Sequence, residues 1–247
     1  AKKIPFVTKE QLENIASQYP TPFYLYDEAG IRKTARLVNQ AFSWNKGFKE
    51  YFAVKATPNP TLLKILREEG CGADCSSYTE LLMSDAVGFQ ESEIMFSSNA
   101  TPAEDFQLAR KLNVTINLDD ITHIDFLEQV ADIPETISCR YNPGGVFKMS
   151  NGIMDNPGDA KYGMTKPQII EAYKRMKELG VEEFGMHAFL TVGRASINEP
   201  KLIVMRYNGG EGVANGEPVF AVRQNLPADA FLMGFHCGPD GGFGASG

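Results

Sequence analysis

The chain has 247 residues, of which 43% are hydrophobic and 22% charged, with a formal net charge of -7 and a pI near 5.1. That length accommodates one large domain or two small ones around a sizeable core. The acidic balance argues against nucleic acid and anionic membrane as main partners, and no apolar run approaches the roughly 20 residues of a membrane span. The N-terminal AKKIPFVTKEQ carries no apolar export segment, so a cytoplasmic location is expected. Cysteine is sparse: Cys71, Cys75, Cys139 and Cys237 do not make a disulfide framework. No second cysteine pair or histidine pair follows Cys71 and Cys75, so reduced thiols and no metal are expected.

From residue 51 the chain alternates strand and helix signals. Tyr51–Ala56 (YFAVKA) reads as a short strand, and Asn59-Pro60 as an N-cap followed by a proline at the first helical position. Leu62, Leu63, Ile65 and Leu66 form the apolar face of a helix that Gly70 ends. Gly72–Ser76 is the next strand and Tyr78–Ala86 a helix. Glu93–Ser97 is a strand, after which Thr101-Pro102-Ala103-Glu104 reads as a capping box opening a helix to Lys111. Val114–Leu118 is a strand, Asp120 caps a helix carrying Ile124, Phe126, Leu127 and Val130, and Thr136–Tyr141 is a strand. Thr165 caps a helix with Ile169, Ile170, Tyr173 and Met176 inward, and Phe184–Phe189 is a strand. Six strand–helix repeats imply an α/β fold with a parallel sheet and right-handed crossovers. A (β/α) barrel and a doubly wound open sheet both fit this periodicity. The lack of a G-x-G-x-x-G after the first strand weakens the dinucleotide-binding version. After Leu190, Gly, Asn and Pro become frequent and short extended runs (Lys201–Arg206, Val219–Val222, Phe231–Phe235) alternate with turns, a β-rich pattern.

Lys55 is the most informative residue. In a barrel, the C-terminal strand ends carry catalysis. A lysine facing inward there must find a counter-charge or become neutral, the condition that Schiff-base chemistry needs. On the strand alone, a lysine that reaches out to solvent is the simpler reading. The flanking segments reverse it. TPFYLYD (21–27) and YFAVKATPNPTLLKILREEGCGADCSSYTELLMSDAVGF (51–89) resemble the pyridoxal-phosphate (PLP) decarboxylases of the alanine-racemase-like barrel type, diaminopimelate decarboxylase above all. FSSNATPAEDFQLA, CRYNPG (139–144), DAKYGM (159–164) and FGMHAFL (184–190) resemble further segments of that family in the same order.

The resemblance implies a PLP-binding (β/α) barrel portion over residues 28–190, incomplete because six repeats are present where the family barrel has eight strands. Residues 1–27 and 191–247 would be a β-rich region resembling parts of the family's β-domain. Lys55 would carry PLP covalently, and Asp74, Glu80 and Arg140 would be polar groups around the cofactor, with a structural ion-pair network as the other reading of the three. His187 would sit near the PLP ring or serve as a hydrogen-bonded core histidine. In VGR (192–194), Arg194 would be the arginine on the phosphate side. Thr191 stands where the family has a glutamate, and Ala214-Asn215 where it has its cysteine proton donor. Gly241-Gly242-Phe243-Gly244 reads as a glycine-rich turn or as a phosphate loop. The implied activity is decarboxylation of an amino acid, meso-diaminopimelate to lysine, by a homodimer. The alternative is a non-catalytic or incomplete relative that keeps the PLP lysine but lacks the substrate and proton-donor half of the site.

Overall fold

The computed structural model describes residues 5–142, 144, 162–188, 202–204, 221–223, 234–237 and 243–246. Two helices, α1 (Lys9–Gln18) and α2 (Glu28–Ala41), precede six strands: β1 (Lys49–Ala53), β2 (Gly72–Cys75), β3 (Ile94–Ser98), β4 (Thr115–Leu118), β5 (Thr136–Tyr141) and β6 (Glu183–Ala188). Helices α3 (Pro60–Glu68), α4 (Tyr78–Val87), α5 (Ala103–Lys111), α6 (Thr122–Val130) and α7 (Lys166–Glu178) alternate with them. Each strand is parallel to the next in chain order. A doubly wound sheet reverses its order at a switch point. An unbroken order instead curls the sheet toward a barrel, and the six parallel strands make an incomplete one. The gap between β1 and β6 is spanned by a hairpin of β9 (Gly234–Cys237) and β10 (Phe243–Ser246). β10 runs parallel to β1 in the register Lys49↔Gly244, and β9 runs antiparallel to β6 at Ala188↔Phe235, which closes the ring. The strands β7 (Leu202–Val204) and β8 (Ala221–Arg223) pair separately as an antiparallel ribbon.

The repeats follow the expected elements closely, with local differences. Asn59 caps α3, its Oδ1 accepting from Thr61 N at 2.9 Å and Leu62 N at 3.3 Å. Gln168 Oε1 accepts from Thr165 N at 2.9 Å at the start of α7. The capping box expected at Thr101 does not form: α5 starts after Pro102, and the Thr101 hydroxyl donates back to Ser98 O at 3.3 Å. Residues 9–18, expected within a β-rich stretch, form α1, because Thr8 and Gln11 bond reciprocally across its first turn at 2.8 and 3.2 Å. β1 runs from 49 to 53 rather than 51 to 56, and Val54–Ala56 turn into a 3-10 helix closed by Thr57 N donating to Val54 O at 3.1 Å.

Alternate residues of the strands divide the molecule. Ala73, Cys75, Ile94, Phe96, Ile116, Leu118, Ile137 and Cys139 face outward and are fully or almost fully buried against Leu63, Leu81, Phe106, Ile124, Leu127 and Met176 of the helices. The apolar core therefore lies between strands and helices. Tight contacts fix the register beneath it: a Cβ on Gly72 would stand 2.5 Å from Tyr51 Cδ1, whose hydroxyl donates to Ser92 O at 2.5 Å. Among the described residues, no helix is long and apolar enough to cross a membrane.

Candidate active site at the strand ends

The residues between the outward-facing ones point into the ring. By this alternation Asp74, Ser97, Asn117, Ser138, Arg140 and His187 share the lumen side of β2 to β6. They are polar on strands whose other face is apolar, and all but Ser138, midway along β5, sit next to the C-terminal ends.

Lys55 lies just past β1, on the 3-10 turn. Val54 beside it is fully buried, whereas Lys55 is exposed, and its Nζ donates to Ser76 Oγ at 3.5 Å. The amine thus reaches out toward solvent, the simpler reading of the strand alone, because the turn lifts it off the strand. Asp74, paired in register with Ala53, is 2% exposed. Burial pushes its carboxyl up to about 7; the Lys55 charge and the nearby Ser97 hydroxyl oppose the rise, and the Glu80 charge adds to it. Asp74 Oδ1 and Ser97 Oγ are buried and lack a hydrogen-bond partner, and they are not in hydrogen-bond geometry with each other.

Glu80 belongs to a different arrangement. Its carboxylate accepts from Ser76 N at 2.8 Å and from Ser77 Oγ at 3.2 Å, so it shapes the turn that starts α4 and carries Ser76 toward Lys55. Arg140 Nη1 donates to the buried Asp119 Oδ1 at 2.9 Å, and its guanidinium lies over the Tyr162 ring at 5.3 Å. Asp119 Oδ2 also accepts from Gly163 N at 3.3 Å. Met164, next in the chain, pairs with Tyr141, so Asp119 ties both the arginine and this returning segment to the end of β5. His187 is 5% exposed on β6, in register with Arg140, and its Nδ1 lies 3.2 Å from Asn117 Nδ2. Ser138 Oγ donates to Asn117 Oδ1 at 2.9 Å.

Asn117, Asp119 and Ser138 were not among the residues expected at the site. The signal for Asn117 and Ser138 is a polar residue at every second position of an otherwise apolar strand, in VTINL and TISCRY, and Asp119 continues that alternation just past the end of β4. Arg194, Thr191, Ala214, Asn215, Gly241 and Gly242 lie outside the described residues. His123 stands apart on α6, edge-on to Phe106 at 5.9 Å, and burial pushes its pKa down. Cys71, Cys75 and Cys139 are free and buried, and the described residues contain no His, Cys, Asp or Glu cluster able to hold a metal.

Residues 28–199 match the family model of the pyridoxal-dependent decarboxylase pyridoxal binding domain. The chain is 36% identical over 186 residues to protein TabA of Pseudomonas amygdali pv. tabaci, covering 75% of this chain and 43% of that protein. It is 31% identical over 180 residues to a diaminopimelate decarboxylase of Methanothermobacter thermautotrophicus, covering 72% of this chain and 42% of the relative. The crystal structure of diaminopimelate decarboxylase from Helicobacter pylori complexed with L-lysine superposes with a TM-score of 0.66 at 26% identity, over 76% of this chain and 48% of the other. The chain thus spans less than half the length of these relatives.

Proposed function

Because the chain belongs to the pyridoxal-dependent decarboxylases, matching their pyridoxal binding domain over residues 28–199, we propose that it binds PLP through Lys55 and serves the decarboxylation of an amino acid, meso-diaminopimelate to lysine. The observation that carries this reading is the Lys55 amine beside the buried Asp74 carboxyl, at the adjacent ends of β1 and β2.

The residues present fit the group. An amine reaches over the mouth, a buried carboxyl oxygen lacks a partner, and a buried imidazole and an ion-paired guanidinium face the same lumen. PLP, when bound, supplies the electron sink that accepts the electron pair of the broken carbon–carbon bond. The protein's part is placement and proton traffic. Lys55 holds the group in place. Asp74, with its carboxyl raised to about 7 by burial, can give up or take a proton near neutral pH within the field of the Lys55 amine. Glu80 keeps the Ser76–Ser77 turn in shape beneath that amine. Asp119 holds Arg140 at the rim as a fixed positive charge for an anionic group. Arg194 is assigned the phosphate side by its place in VGR, and a homodimer is assigned by family kinship.

The full chain incubated with PLP and borohydride should carry a reduced cofactor on Lys55, found by peptide mass spectrometry. Lys55→Ala should abolish the label, and a label elsewhere would overturn the reading. Carbon dioxide release from meso-diaminopimelate tests the substrate. A second reading, a relative that keeps the lysine without turnover, is favoured by Thr191 and Ala214-Asn215 in place of the family's acid and cysteine. Label without carbon dioxide would select it.

A further inference from the structure

Three buried polar side chains from adjacent strands meet in the lumen: Ser138 of β5, Asn117 of β4 and His187 of β6. Ser138 Oγ donates to Asn117 Oδ1 at 2.9 Å, so the carbonyl end of the amide is turned toward β5 and its NH2 end toward the imidazole. That NH2 group lies 3.2 Å from His187 Nδ1. An amide NH2 is a donor only, so the nitrogen facing it must supply a lone pair. In a neutral imidazole with a lone pair on Nδ1, the proton resides on Nε2. Gly185 keeps this path open: it registers with Ser138, and a Cβ on it would stand 3.0 Å from Ser138 Cβ and 3.2 Å from Oγ.

We infer that Asn117, oriented by Ser138, is a positioning residue that fixes His187 as the neutral tautomer with its proton on Nε2. The inference rests on the reading that His187 borders the cofactor site, and it deepens that reading. His187 then presents an N–H donor at Nε2, and its ring is pinned from the Nδ1 side. A flipped amide would do the reverse, with Asn117 Oδ1 accepting from an Nδ1–H and Ser138 acting as acceptor.

The two arrangements differ in a directly measurable way. The chain has 3 histidines, so two-bond proton–nitrogen correlation spectra of the full 15N-labelled chain at neutral pH give few ring signals, and His187→Gln identifies those of His187. The expected result is a protonated Nε2 and an unprotonated Nδ1. Asn117→Asp, which replaces the donor by an acceptor, should move the proton to Nδ1 or protonate both nitrogens. Ser138→Ala should release the amide and yield a mixture of tautomers. A wild-type His187 protonated on Nδ1 would overturn the inference, and that tautomer is read in the wild-type chain itself. An Nε2–H unchanged in Asn117→Asp would overturn it as well. Borohydride labelling of Lys55 on the same samples keeps the two readings apart. Loss of the label with the tautomer intact removes the cofactor reading alone, and the wrong tautomer with the label intact removes this inference alone.

Discussion

At the scale of single residues, Asp74 has the clearest consequence for stability. Its folded pKa of about 7 lies above the ordinary aspartate value of 3.8 because burial penalises the charged form. Below about pH 4 both states are protonated and the group costs nothing. As pH rises toward 7, the unfolded chain releases a proton that the folded chain retains, so stability falls, and above 7 the whole penalty is present. Three units correspond to about 4 kcal/mol as an upper bound. Without cofactor, Asp74→Asn should therefore gain on the wild type by a few kcal/mol between pH 4.5 and pH 8 in denaturant unfolding. A difference between the two proteins that stays constant with pH would refute the assignment. Asp74, Arg140 and His187 were singled out through the motifs that flank them, and the structure places all three on the lumen side of their strands. Asn117 and Ser138 were legible only as polar interruptions of apolar strands, and Asp119 as the next polar position past β4, which say that a side chain faces a lumen but not whom it meets. The exposure of Lys55 was the simpler reading of its strand, but the 3-10 turn of Val54–Ala56 that produces it was not legible, because strand alternation cannot foresee where a strand gives way to a turn.

At the scale of elements, the start of α3 sets the exit from the Lys55 turn. Asn59 accepts two backbone N–H groups there, and Pro60 follows at the first helical position. Asn59→Ala should cost about 1 kcal/mol by thermal or denaturant unfolding. The helix bounds were read to within a residue or two from sequence, whereas on α7 Ile170, expected inward, is exposed, and Ala172 is buried beside Ile169 and Met176. β5 fell where it was expected, but the ends of other strands shifted by up to three residues, since hydrogen bonds to a neighbour, not side-chain type, decide where a strand stops. Thr101 is an instructive miss: the residue pattern of a capping box was present, yet the hydroxyl found the nearer Ser98 carbonyl. Helix α1 was missed because none of its residues is buried, so it leaves no core-facing stripe to read.

At the scale of the whole molecule, sequence periodicity alone left barrel and open sheet equal, and the strand order decides for the curled form. Six parallel strands would leave β1 and β6 as edges, and unpaired edges recruit other chains. The β9–β10 hairpin takes both edges. Removing residues 234–247 should therefore produce concentration-dependent association, seen as a rising mass in light scattering; a truncated chain that stays monomeric at every concentration would contradict this. The closure itself was beyond the sequence, because a hairpin read as β-rich does not disclose which distant strands it will join. The division of each strand into an apolar outer row and a polar inner row has a longer consequence. The apolar core takes positions such as Phe96, Ile116 and Ile137, and the polar lining of the lumen falls to their immediate neighbours Ser97, Asn117 and Ser138. Selection can revise the inner row with little toll on the outer one, so a lineage built on this plan is free to explore new specificities while its architecture is inherited unchanged.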